Sequence, residues 1–167
     1  MTKRSLIDDV TITKKQIAKV SGSPILFTNA EIRKMLNLAE AGENDVIFDL
    51  GCGWAQNLII AVTEFNVKKC YGIELLKMRY LKAKERVSQW SLSDQITIIQ
   101  GKFENLIKGK FKEAKIEDAT IVLYLLETYE EIIEQLFKKL QKGCRLVYFY
   151  NALFPEIKPD AIDYPFY

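Results

Sequence analysis

Asp49, Gly51, Gly53 and Glu74 are the residues whose types and spacing carry chemistry. The first three lie in "IFDLGCGWAQNL" (47–58), where an apolar run ends on a carboxylate and two glycines follow. Glycine lets the backbone approach a ligand closely, and a helix starting just beyond offers unpaired N–H groups. Glu74 stands 25 residues after Asp49, at the end of another apolar run. A carboxylate there can accept both hydroxyl protons of an adenosine ribose. A nicotinamide or flavin loop would read G-x-G-x-x-G, and the last position of that template is Gln56 here. The Walker lysine and serine of a triphosphate cradle are missing as well. Asp49, in either reading, bonds backbone N–H groups of the glycine turn.

The elements that must hold these residues are legible as alternating patterns. Residues 45–50, 68–74, 95–100, 119–126 and 144–150 are nearly unbroken apolar runs rich in β-branched residues, as expected of strands covered on both faces. Residues 55–65, 77–90 and 128–140 carry apolar side chains at helical spacing, and Ile132, Ile133, Leu136, Phe137 and Leu140 form the stripe of the last. An earlier helix over about 29–41 feeds the first strand. Thr28 with Glu31 and Thr128 with Glu131 spell capping boxes, and Gly42 and Gly143 stand where helices should stop. Strands separated by helices predict right-handed βαβ units in one doubly wound, mostly parallel α/β sheet. Ligands bind such a sheet beyond the carboxyl ends of its strands, where strand order reverses.

Composition removes several chemistries. The 167 residues suit one domain, read as 24–167 behind a polar N-terminal arm, 1–23. Histidine is absent, which excludes Ser-His and Cys-His nucleophiles, histidine metal sites and an imidazole base. Cys52, Cys70 and Cys144 form no CxxC pair and read as reduced core thiols of a cytoplasmic protein, with no metal site. No apolar run is long enough to span a bilayer, so no membrane is expected. Formal net charge is +2 with both signs dispersed, leaving room for a local patch only.

In "DLGCGWA" (49–55), "YGIE" (71–74) and "IIQGKF" (98–103) the chain resembles the class I S-adenosylmethionine-dependent methyltransferases over roughly residues 24–150. Within them it looks most like the small archaeal protein lysine methyltransferases. "SPILFTNAEIRKML" (23–36) is similar to their Pro-aromatic-x-Pro-Thr-Pro segment, and "EFNVKKCYGIE" and "LYLLE" have counterparts there. The resemblance implies S-adenosylmethionine as cofactor and exposed lysines of other proteins as acceptors. It places Gly51, Cys52 and Gly53 along the cofactor, Glu74 and Leu75 at its ribose, and Lys102 and Phe103 at its adenine. Thr28 and Asn29, most simply a helix cap, fall near its methionine end. Tyr124 is placed towards the sulfonium, where an aromatic ring or carbonyl stabilises positive charge; otherwise it belongs to a buried strand. Glu127 either caps the next helix or draws the substrate lysine by charge.

Some residues depart from the family pattern. Ala55 replaces a third glycine, which requires a negative φ, and Trp54 stands where the family usually has Asp. The family normally adds an antiparallel strand pair after Tyr150. Here 17 proline-interrupted residues follow, predicting a truncated hairpin region. The sequence leaves three alternatives to lysine methylation: an RNA methyltransferase, using the basic loop 102–115 (Lys102, Lys108, Lys110, Lys112, Lys115), a small-molecule methyltransferase, or a module that binds the cofactor without turnover.

Overall fold

Each apolar run settles into a strand because both of its faces find a helix to cover them. The computed structural model describes residues 27–125 and 132–148. Its strands are β1 (Val46–Leu50), β2 (Lys69–Glu74), β3 (Ile96–Gln100), β4 (Ile121–Tyr124) and β5 (Arg145–Tyr148). They form one sheet in the order β3-β2-β1-β4-β5, every pairing parallel. The order reverses between β1 and β4, so the loop leaving β1 emerges at the switch point.

The helices are α1 (Asn29–Leu38), α2 (Gln56–Phe65), α3 (Lys77–Gln89), α4 (Phe103–Ile107) and α5 (Ile132–Phe137). A 3-10 turn, Ile116–Asp118, precedes β4. On one face, α1, α2 and α3 pack Ile32, Met35, Leu36, Leu58, Ala61, Ala83 and Val87 over Ile47, Cys70, Ile96 and Ile121. On the other, Leu106, Ile107, Ile116 and Leu136 cover Phe48, Leu50, Ile73, Ile99 and Tyr124.

Several sequence boundaries move. The Thr28–Glu31 capping box forms in full, but α1 stops at Leu38. The left-handed residue that follows is Glu40, φ +48°, and not Gly42. Gly42 instead turns the chain into β1: its N–H donates to the Asp45 carboxylate at 2.9 Å. Asp45 is buried, accepts from the Thr120 hydroxyl at 2.6 Å and pairs with Arg145. This clamp ties β1, β4 and β5 together at their amino ends. Gly143, φ +89°, lies beyond the end of α5 and leads into β5. The stretch read as a basic loop contains α4, because Leu106 and Ile107 bury against the sheet while Lys102, Lys108, Lys110, Lys112 and Lys115 remain exposed. The N-terminal arm, the Thr128–Glu131 cap, Glu127 and the C-terminal hairpin region lie outside the described residues.

Candidate functional site

The loop between β1 and α2 is held by backbone hydrogen bonds and by side chains that reach it from β2 and α3. The N–H groups of Gly51 and Cys52 both donate to the Ile73 carbonyl, at 2.9 and 3.0 Å. Gly51 (φ +100°) and Gly53 (φ +56°) take conformations that L side chains rarely adopt. Ala55 does so too, at φ +62°, against the negative φ expected of it. Its conformation is fixed from both sides: its N–H donates to the Cys52 carbonyl at 2.9 Å and its own carbonyl accepts from Ile59 at 3.0 Å. Its methyl group is fully buried in the core, and that burial offsets part of the roughly 1–2 kcal/mol that a left-handed L-residue costs.

Gly72 is the residue that sequence reasoning passed over. It pairs with Asp49 in the sheet. A Cβ there would lie 2.6 Å from Cys52 Sγ and 2.9 Å from Leu58 Cδ1. Its missing side chain is therefore the space in which the glycine loop and the first turns of α2 sit down on β2. The "YGIE" spelling contained the signal, since glycine inside an apolar strand marks a close approach.

Asp49 and Glu74 reach the carboxyl ends of adjacent strands on the α1–α3 face. Both are nearly inaccessible, at 1% and 4% exposure. They divide the loop differently from the sequence expectation. The Gly51 and Cys52 amides are committed to Ile73, so Asp49 accepts from the side-chain amide of Asn57, at 3.0 Å, and not from the turn. Glu74 holds the turn instead. One of its oxygens accepts from Gly53 N–H at 3.0 Å and the other from Leu76 N–H at 2.8 Å. Burial pushes the Asp49 carboxyl up to about 7; the Asn57 hydrogen bond works against that rise and the neighbouring Glu74 charge adds to it. Burial, then the charges of Asp49 and Glu74, push the Cys52 thiol well up, so it is a buried thiol and not a nucleophile.

A second polar cluster adjoins the loop. Arg86, on α3, is 4% exposed. It donates to the Trp54 carbonyl at 2.9 Å and to Gln56 Oε1. Gln56 Nε2 donates in turn to Asn29 Oδ1, at 3.0 Å, at the start of α1. Burial lowers the Arg86 pKa. The sequence stripe of α3 gave no reason to single this arginine out.

The remaining candidates divide by face. Leu75 is 54% exposed, directly beyond Glu74. Lys102 is exposed, and Phe103, half-buried, opens α4. The Phe103 ring meets Tyr124 edge-on, with centroids 6.1 Å apart. Tyr124 has no exposed surface and belongs to the core of the α4–α5 face, so the structure joins it to Phe103 and not to Asp49 and Glu74. Thr28 caps α1 and Asn29 is tied to the loop through Gln56.

This arrangement fits an adenosine ribose on one specific ground. An ionised carboxylate has about four lone-pair directions, and the two backbone amides on Glu74 use one on each oxygen. One direction per oxygen is left for a pair of hydroxyl donors. A Cβ on Gly53 would meet no atom within 4 Å, so the loop leaves open space on that side of Gly53.

Known proteins show the same framework. Residues 25–150 match the family described as mycolic acid cyclopropane synthetase. A protein-lysine N-methyltransferase of Saccharolobus islandicus (strain REY15A) is 33% identical over 118 residues, which are 70% of this chain and 68% of that protein. An RNA methyltransferase from Salinibacter ruber, solved with S-adenosyl-L-homocysteine, superposes with a TM-score of 0.63 at 26% identity, covering 74% of this chain and 76% of that one. A precorrin 8w decarboxylase of Methanobacterium thermoautotrophicum gives a TM-score of 0.62 at 23% identity, covering 75% and 64%. That last likeness speaks for the fold alone.

Proposed function

The chain belongs to the class I S-adenosylmethionine-dependent methyltransferases, in the family whose cyclopropane-synthetase pattern it matches, and we propose that it methylates lysine side chains of other proteins. The observation that carries the lysine reading is the 33% identity to the Saccharolobus protein-lysine N-methyltransferase, which extends over two-thirds of both chains. The cofactor supplies a methyl group on a positively charged sulfur that leaves as a neutral thioether.

The residues of this chain bind and position. Glu74 accepts the ribose hydroxyls through the lone pairs its backbone partners leave free. Gly51, Cys52 and Gly53 bring main chain, without side-chain bulk, against the nucleoside. Leu75, Lys102 and Phe103 line the side of the base, where Phe103 adds an apolar wall. Asn29 and Thr28, at the start of α1, suit the carboxylate of the methionine moiety. Tyr124 backs Phe103 as part of that wall. The acceptor amine has to be neutral when it attacks. Desolvation in the cleft lowers its pKa, and with no histidine in the chain its proton passes to water. The catalytic contribution is then alignment and exclusion of water.

RNA is the second reading, favoured by the exposed lysines of 102–115 and by the likeness to the Salinibacter RNA methyltransferase. Incubation with methyl-labelled S-adenosylmethionine and separate protein and RNA extracts tests both. Label on lysine is the expected result. Label in RNA alone replaces the lysine reading, and none in either fraction, with cofactor bound, leaves a binding module.

A further inference from the structure

We infer that Arg86 is a positioning residue for the cofactor loop, fastening it to the starts of α1 and α2. The inference rests on the cofactor reading above, but its geometry stands by itself. A guanidinium that is 4% exposed costs free energy to bury, and no carboxylate among the described residues pairs with it. Packing alone would be met as well by a methionine or leucine of similar length.

What the guanidinium does is fork. One nitrogen donates to the carbonyl of Trp54, the loop residue before left-handed Ala55, and another to the side-chain oxygen of Gln56, the first residue of α2. Accepting through Oε1 sets the orientation of the Gln56 amide, so its Nε2 faces Asn29 Oδ1. A planar fork suits this task where a lysine ammonium, a point donor, does not. The chain of bonds thus runs from the interior of α3, through the loop, to the residue that opens α1.

The loop is held on its other side by Glu74, through Gly53. Glu74 on one flank and Arg86 on the other bracket residues 53–56, a stretch with two left-handed residues in four (Gly53 and Ala55). At a residue with a side chain, such as Ala55, left-handed backbone persists only where its surroundings over-determine it. Arg86 supplies part of that constraint from a helix that has no other reason to place a charge inwards.

The test uses Arg86→Met, Arg86→Lys and Gln56→Leu in the full chain. Affinity for S-adenosylhomocysteine is read by calorimetry well below the melting temperature, and amide hydrogen exchange is read across residues 51–56. In Arg86→Met and Gln56→Leu we expect at least tenfold weaker binding and faster exchange of the Gly53, Trp54 and Ala55 amides. Arg86→Lys restores the charge without the fork and should recover little of either. Wild-type affinity and exchange in folded Arg86→Met overturn the inference, even with a lower melting temperature, because a purely structural role moves only stability. Should Arg86→Met fail to fold, Gln56→Leu decides by the same two readouts. If the parent chain does not bind S-adenosylhomocysteine, the cofactor reading fails, and the exchange measurement still judges the positioning role.

Discussion

Asp49 is a carboxyl group removed from water, with the Asn57 amide favouring its ionised form and the Glu74 charge opposing it. Burial raises its pKa to about 7 in the folded chain, from 3.8 for an aspartate in water. The native state therefore binds more protons than the unfolded state between about pH 4 and 7, and stability falls as pH rises through that window. The contribution is complete below the unfolded pKa and lost above the folded one. Asp49→Asn cannot ionise, and it should flatten urea-derived stability between pH 4 and 7, gaining on the parent as pH rises by on the order of a few kcal/mol. Parallel curves for the two proteins would remove Asp49 as the source. Glu74 carries a different expectation, because its oxygens hold two backbone amides and, in the proposed site, the ribose hydroxyls. Glu74→Gln keeps one acceptor oxygen and close to the same volume, so the chain should fold. Its affinity for S-adenosylhomocysteine should fall by about 1.5–3 kcal/mol, the scale of hydrogen bonds to a charged group. Calorimetry on the folded variant checks this, and parental affinity would take Glu74 out of the site.

Contact between β2 and the glycine loop is where element geometry and site geometry become one question. A methyl group on Gly72 cannot fit unless both Cys52 and Leu58 move, and Cys52 belongs to the loop itself. Gly72→Ala should therefore cost about 1–3 kcal/mol of stability by overpacking and weaken cofactor binding in the protein that remains folded. Pairing it with Cys52→Ala removes the sulfur 2.6 Å away but leaves the Cβ of residue 52 and Leu58 Cδ1 at 2.9 Å, so it should restore only part of both. The same elements show what could be read from sequence. β1 to β5 were legible because strands buried on both faces read as unbroken apolar runs, and Asp49 and Glu74 because they end two of those runs. The positive φ of Ala55 was not legible: alanine carries no local preference for it, and the hydrogen bonds that impose it belong to the assembled loop. Helix α4 was hidden by the lysines that flank it, whose charges outweigh the short Leu106–Ile107 signal that tertiary packing uses. Arg86 was invisible because a charge on a helix is read as solvated, and only the fold turns this one inwards. Tyr124 was correctly placed at the end of β4, yet alternation sends its ring into the face opposite the two carboxylates, which strand position alone does not reveal.

Across the molecule, the two ends of the sheet do different work. The amino ends are closed by the Asp45, Thr120 and Arg145 clamp. The carboxyl ends hold the glycine loop, Asp49, Glu74 and the Arg86 bracket, the proposed cofactor site. No described helix is long and apolar enough to cross a membrane. The net charge of +2 is too small to draw a polyanion to the whole surface, so attraction for RNA would come from a local patch such as the lysines after β3. Lys108, Lys110 and Lys112 are all exposed, and α4 between them and Lys102 keeps them off the core. Replacing these three by glutamine therefore separates the two acceptor classes without touching the cofactor site. If the acceptor is a protein lysine, cofactor affinity and the rate of methyl transfer to protein should stay within about twofold of the parent, because exposed charges contribute little to binding. An RNA acceptor gives another pattern. Each lost phosphate contact then lowers the slope of log affinity against log salt by about 0.7 for single strands, and transfer to RNA falls with it. A salt titration of methyl transfer by parent and triple variant reads this directly. Superimposable curves on the protein substrate support lysine methylation, and a triple variant with a shallower salt slope and lost transfer gives the acceptor site to RNA.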